Sequence, residues 1–422
     1  MNILVHTWWF SRYKGSEFSV AYNFVAEMAR YHHLYVIVES CSYQFGDYTE
    51  FSEYTIENCE FIFVKPNIVT RVLGLIHKYG KSVIAAWSSY LAFNSWERQI
   101  YRYIKNASFL NKIDLIHYVA PVGYQEPGYL YKLNRPYIWG PVSGFENVNS
   151  MLLDEYLDNR FIIRIKNIIN TFKFRTGKRL RNVMNNSDVV IAATNSNRLI
   201  IEKYFQPKKL LYFTENLMRI SENEIITSKF IEKKYGDIDK LSIIWCGSLV
   251  PRKMPNLLID SIRKCQYQEK IEVVIVGGGY LYNTIDDMIS GYKINCIKLV
   301  GSIERQYVED YFKRIHLHIL TSAYEANTTV MFEAMEYCVP SIALNHCGMA
   351  DLIIHKENGI KINLTDYETI CTEVANEIDI FVQHPELLIN YAKNLREHSR
   401  KYVKERRAEF YNNLYQMVTK TK

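Results

Sequence analysis

Thirteen short, near-continuous apolar runs, each followed by a longer segment of helical character, constrain this chain more than any other feature. Seven lie in the first half, at Asn2 to Trp8, His33 to Glu39, Cys59 to Val64, Asp114 to Ala120, Pro136 to Val142, Asp188 to Ala193 and Leu210 to Phe213. Six follow, at Leu241 to Cys246, Ile271 to Val276, Cys296 to Val300, His316 to Leu320, Pro340 to Leu344 and Gly359 to Ile362. Runs that stay apolar instead of alternating read as strands buried on both faces, the condition of a parallel sheet covered by helices. The pattern predicts an α/β protein of two Rossmann-like, doubly wound domains, over 1–205 and 241–396, facing a cleft. The polar run Ser221 to Lys240 places a linker at 206–240, and 397–422 forms a terminal helix. Ligands of such sheets bind beyond the carboxyl ends of the strands.

Composition narrows the class further. With 422 residues, 48% hydrophobic and 23% charged, the chain is too long for one ordinary core and too apolar for disorder. Eight cysteines are scattered without a C-x-x-C pair, and the sequence opens directly into Ile3 to Val5, so free thiols in a reducing cytoplasm are expected. The longest uncharged apolar stretch, Ser82 to Trp96, is too short to span a bilayer. The net charge of +6 is uneven: residues 1–210 hold 25 Lys/Arg against 17 Asp/Glu. Within them, Arg160 to Arg181 carries eight Lys/Arg, no acid, and interleaved Ile and Phe. That run reads equally as a membrane-surface helix on anionic lipid and as a core helix with a solvated basic face. No nucleic-acid motif accompanies it.

Several segments carry chemistry. In Ala323 to Ile342, Glu325 and Glu333 flank Asn327, Thr328, Thr329 and Val330, where a helix starts. A helix start offers unpaired N–H groups and positive potential to a phosphate, while the two carboxylates suit sugar and ribose hydroxyls; two exposed glutamates on an ordinary amphipathic helix would look the same. Arg252 and Lys253 follow Gly247 at the end of a strand, well placed for a diphosphate, though a surface pair would be ordinary solvated charge. Gly15 and Ser16 sit before a helix, as a ligand loop or a simple turn. His117 lies near a strand end, where it faces a ligand or packs in a core. Gly140, Gly144 and Glu146 are weaker cleft candidates. Gly277 and Gly279 close a strand, but the third glycine of a dinucleotide fingerprint would fall on Tyr282. Ser302 ends the next strand. Asp237-Ile238-Asp239 precedes a strand, and with no clustered ligands elsewhere nothing calls for a metal or other cofactor.

Taken in order, these segments resemble the retaining, GT-B-fold glycosyltransferases of family four, the group 1 glycosyl transferases. "EAMEYCVP" departs from that pattern at Tyr337-Cys338, Ser143 stands where the family has glycine, and Ser248 where it has arginine. The resemblance implies a nucleotide diphosphate sugar as donor, UDP-linked by default, and a saccharide or lipid-linked saccharide as acceptor in surface polysaccharide or glycoconjugate assembly. It also implies a terminal helix crossing back to the first domain. Glu325, His117, Arg252 and Lys253 would be catalytic; Gly15, Ser16, Gly247, Gly277, Gly279, Ser302, Asn327, Thr328, Thr329, Val330 and Glu333 would bind substrate. Such a protein works in the cytoplasm, at or near the inner membrane face. The alternatives are a non-catalytic subunit of the same fold that regulates a partner transferase, and a nucleotide-sugar epimerase.

Overall fold

The computed structural model describes residues 1–12, 17–39, 55–79, 83–153 and 160–420. Its first sheet comprises β1 (Asn2–His6), β2 (His33–Glu39), β3 (Cys59–Val64), β4 (Leu115–Tyr118), β5 (Tyr137–Val142), β6 (Val189–Ala192) and β7 (Leu210–Tyr212). They pair in parallel in the order β3-β2-β1-β4-β5-β6-β7. The second comprises β8 (Leu241–Cys246), β9 (Ile271–Val276), β10 (Ile297–Gly301), β11 (Leu317–Leu320), β12 (Ser341–Leu344) and β13 (Gly359–Ile362). It is also parallel, ordered β10-β9-β8-β11-β12-β13. The apolar runs thus become two doubly wound sheets. In each, the winding reverses beside the first strand, between β1 and β4 and between β8 and β11, which opens a crevice at those strands' carboxyl ends.

Burial explains why these runs became strands. All four residues of β4, β6, β11 and β12 are buried, as a central strand under helices on both faces demands. Side chains cap the covering helices: Thr194 accepts from the Asn197 N–H at 3.0 Å and Asp366 from the Thr369 N–H at 2.9 Å, each cap worth about 1 kcal/mol.

The domain limits differ from the sequence expectation in two places. β7 is the edge strand of the first sheet, so the first domain runs past 205, and the helix Ser228–Tyr235, assigned to the linker, packs on the helix Glu386–Ser399 of the second domain. The terminal helix expected from Glu397 is two elements: Glu386–Ser399 ends in a turn at Arg400–Tyr402, and only Glu405–Lys420 returns to the first domain. There Tyr411, Leu414 and Tyr415 share a core with Ile3, Val5, Phe24 and Val36. Two polar clasps hold the domains together: the Asn195 N–H donates to Asp351 at 2.7 Å, and Asn327 Nδ2 donates to the Ala193 carbonyl at 2.8 Å.

Candidate active site

The loops after β8 and β11 build the centre of the crevice. After β8 the chain passes through Gly247 to a single tight turn, Pro251–Lys253, which ends at Met254 in the left-handed region before the helix Pro255–Lys264. After β11, the Thr321 hydroxyl donates to the Lys253 carbonyl and the Ala323 N–H to the Arg252 carbonyl, each at 2.8 Å. These bonds bind the two loops to one another and bring Glu325 onto both cations. Its Oε1 accepts from Arg252 Nη1 and lies 2.5 Å from Lys253 Nζ. The Lys253 and Glu325 side chains are only 9% and 12% exposed.

Burial would raise the Glu325 carboxyl, but Lys253 and Arg252 outweigh it and hold the group below the usual carboxylate range. Burial lowers the Lys253 ammonium, with Glu325 opposing. The cluster therefore keeps two cations against one anion, a net positive charge in a partly dehydrated place, where an arriving diphosphate would be most strongly attracted. Arg252 also lies over Tyr324, 5.6 Å from its ring centre, and Lys166 of the first domain lies at 5.6 Å from the same ring, so Tyr324 bridges the crevice.

Glu333, on the helix Thr329–Glu336, is buried close to Cys246 at the end of β8. Arg305 Nη2 donates to its Oε1 at 2.9 Å. Cys246 lies near both Glu333 and Lys253: burial pushes its thiol up to about 12, Glu333 adds to the rise and Lys253 opposes it. Gly277 and Gly279, both with positive φ, lie against the loop after β8, where a Cβ would strike the carbonyls of Gly247 and Leu249. Ser302 packs its hydroxyl beneath Gly278. These glycines thus bring the strand-end loops together and hold Arg252 and Lys253 in place.

Two sequence expectations are corrected. His117 does not face the crevice: it is fully buried, with Nδ1 2.7 Å from the Tyr415 hydroxyl and Nε2 2.8 Å from the Gly140 carbonyl. Asn327 offers no free N–H to a phosphate, because its backbone donates to Glu215 at 3.0 Å and its amide to Glu215 and Ala193. Thr328 and Thr329 remain half-buried at the helix start and Val330 is buried beside them. Gly15 and Ser16 lie outside the described residues. Glu17, next to them, accepts from the Val122 N–H at 3.2 Å, and burial raises its carboxyl to about 7.

Gly144 and Glu146 line a small cavity of about 180 Å³ with Tyr324, Glu126 and Lys166. Glu126 is a site candidate that sequence reasoning missed; burial pushes it up to about 8, with Glu17 adding to the rise. The expected basic run is two helices, Arg160–Thr176 and Lys178–Asn186, parted at Gly177. On the first, only Asn170 and Phe174 are buried, which leaves most of its apolar residues outside the core. Among the described residues no helix is long and apolar enough to cross a membrane, and no three His, Cys, Asp or Glu side chains cluster as metal ligands.

Comparison with known proteins bears on the fold. Residues 227–402 match the family model described as glycosyl transferases group 1. An uncharacterized glycosyltransferase of Methanocaldococcus jannaschii is 25% identical over 217 residues, covering 50% of this chain and 57% of the relative. The chain thus spans little more than half the length of that curated relative. Sucrose-phosphate synthase of Thermosynechococcus elongatus superposes with a TM-score of 0.69 at 14% identity over 100% of both chains. The Anabaena protein HepE, solved with UDP, superposes with a TM-score of 0.63 at 15% identity over 99% of this chain and 100% of its own. The fold is GT-B, and residues 227–402 are similar to the glycosyl transferases group 1 family.

Proposed function

We propose that this protein is a retaining glycosyltransferase that moves a sugar from a nucleotide diphosphate sugar, UDP-linked by default, to a saccharide acceptor in surface polysaccharide or glycoconjugate assembly. The observation that carries the reading is the convergence of Arg252, Lys253 and Glu325 on one half-buried spot at the switch point of the second sheet. That HepE was solved with UDP and with UDP-glucose supports the choice of donor.

In this reading the donor's diphosphate lies over Arg252 and Lys253, beside the N–H groups that open the helix at Thr328 to Val330. As the bond from sugar to phosphate breaks, the departing diphosphate gains charge, and the two fixed cations stabilise it most at that moment. They supply the charge that a divalent ion would otherwise provide, so the proposed reaction is metal-independent. Glu325 orients both cations through Oε1 and accepts from a sugar hydroxyl; Glu333 accepts from the ribose. Retention follows from attack on the face that the diphosphate leaves, with the diphosphate taking the acceptor's proton, so no protein nucleophile is needed. The reaction would take place in the cytoplasm, at the inner membrane face.

Donor turnover decides the matter. UDP release from a panel of UDP-sugars, read with and without a saccharide acceptor, should be well above background and fall to background in Glu325→Ala. Equal background release from both proteins, across UDP-, GDP- and ADP-sugars, would overturn the proposal in favour of a non-catalytic subunit.

A further inference from the structure

On its first-domain side the crevice opens into a groove that donor binding does not use. The groove encloses about 520 Å³, within the range of about 300–1,000 Å³ usual for small-ligand sites. It runs between the helix Val83–Lys105 and the helix Arg160–Thr176 and shares Tyr90, Tyr124, Lys166 and Asn170 with the smaller cavity beside Tyr324. Its walls are largely apolar, with Trp87, Leu91, Ile165, Ile169 and Leu180 among the lining residues, and Trp87 and Leu91 each remain 53% exposed.

Three cations, Lys166, Lys173 and Arg179, stand in those walls, and the last two bear most directly on what the groove can hold. Arg179 lies over the Tyr129 ring at 4.9 Å, yet its Nε and Nη2 are buried with no hydrogen-bond partner. Lys173 Nζ meets only the Gln125 amide oxygen, at 3.1 Å, and the faces of Trp87 and Tyr90 at 5.8 and 5.9 Å. Neither forms an ion pair among the described residues. No carboxylate lines the groove among the described residues; Glu126 and Glu146 line the smaller cavity at its inner end, where burial raises both, Glu126 to about 8, and favours their neutral forms. Unpaired guanidinium and ammonium groups in an apolar wall are costly, and an anion with an apolar tail would satisfy both features together.

We propose that this groove is the lipid subsite of the acceptor, built for a single-chain isoprenoid or acyl phosphate that carries the saccharide. The phosphate meets Arg179 and Lys173, the tail lies along Trp87, Leu91 and Ile165, and the sugar projects into the smaller cavity toward Tyr324 and Glu325. Only the sugar's destination rests on the glycosyl-transfer reading; the lipid phosphate site stands on the groove itself.

Binding of farnesyl phosphate, farnesol and inorganic phosphate to the full chain, by calorimetry below the lipid's micelle threshold, tests it. Farnesyl phosphate should bind at least about tenfold more tightly than either fragment, and Arg179→Met and Lys173→Met should each lose about tenfold, as should Leu91→Gln in the wall. UDP affinity and melting temperature, measured on the same variants, should not change, which separates a lost subsite from a damaged fold. Equal affinity for farnesyl phosphate and inorganic phosphate, or unaltered farnesyl phosphate binding in both cation variants, would overturn the proposal. Farnesyl phosphate binding without any UDP binding would support the groove and tell against the donor site.

Discussion

The imidazole of His117 and the hydroxyl of Tyr415 meet at 2.7 Å across 298 positions of the chain, fastening the terminal helix to the centre of the first sheet. The Gly140 carbonyl can only accept, so Nε2 carries the proton and Nδ1 accepts from Tyr415. Burial lowers the ring to about 3, with the Gly140 contact opposing, so the folded protein holds His117 neutral.

A pH signature follows. The folded value lies below the ordinary one, near 6.5, so His117 destabilises the protein as pH falls from about 6.5 toward about 3. His117→Phe leaves the Tyr415 hydroxyl and the Gly140 carbonyl without their partner and should cost about 2–4 kcal/mol at pH 7. Between pH 6 and 4 that cost should shrink by about 1.4 kcal/mol per unit, because only the wild type must keep a histidine neutral. Urea unfolding of both proteins at pH 7, 5.5 and 4.5 measures it; a constant difference would mean that the ring takes up its proton as readily in the fold as in the unfolded chain.

The electrostatics of the crevice predict a different response. Lys253→Ala removes one of two cations from Glu325 and from the proposed diphosphate site, and should lower turnover about 100- to 1,000-fold. Glu325→Gln keeps shape but frees both cations, so UDP should bind at least as tightly as in wild type while turnover falls. Separate measurement of UDP affinity and sugar transfer distinguishes these effects. Parallel losses of affinity and turnover in both variants would mean that Glu325 merely holds the loops together.

The fold was legible because a strand buried on both faces must be apolar throughout, and no tertiary contact changes that. The runs later seen as β1 to β13 needed no long-range information. The cluster of Arg252, Lys253 and Glu325 was legible for a related reason: a strand's end fixes its loop's location, and two adjacent strands fix their loops together. His117 was not legible, since what it meets is set by a helix from the far end of the chain. Asn327 misled similarly. A polar residue before a helix suits a phosphate or a neighbouring carboxylate, and only the return of Glu215 from the other domain decides between them. The groove around Arg179 was hidden because the basic run identifies its helix but not the helix Val83–Lys105 that faces it.

Asn327 therefore serves as a clasp, and its energetics are testable. Burial raises the Glu215 carboxyl to about 7, with hydrogen bonds from Asn327 opposing. In Asn327→Ala the ionised carboxylate loses its side-chain donor, and Ala193 loses the donor to its carbonyl. The substitution should cost about 1–3 kcal/mol, and the cost should grow as pH rises from 6 to 8 and Glu215 ionises. Small-angle scattering should show a larger radius of gyration as the crevice opens. An unchanged radius with the same loss of stability would place the clasp's effect within one domain.

Gly277 offers the sharpest test of how the second sheet's loops are held. Its φ is 145°, and a Cβ there would meet the carbonyl of Gly247, a backbone atom that cannot step aside without carrying its loop with it. That loop leads to Arg252 and Lys253, so Gly277→Ala should displace the two cations as well as strain the fold. A loss of about 1–3 kcal/mol in stability is expected, together with a weakening of UDP affinity. Gly291 is the matched control: it ends the helix Tyr282–Gly291, nothing lies within 4 Å of an added Cβ, and Gly291→Ala should stabilise by about 0.5–1 kcal/mol with UDP binding unaltered. If Gly277→Ala lost stability but bound UDP as wild type does, the loop after β8 would not be what positions the diphosphate.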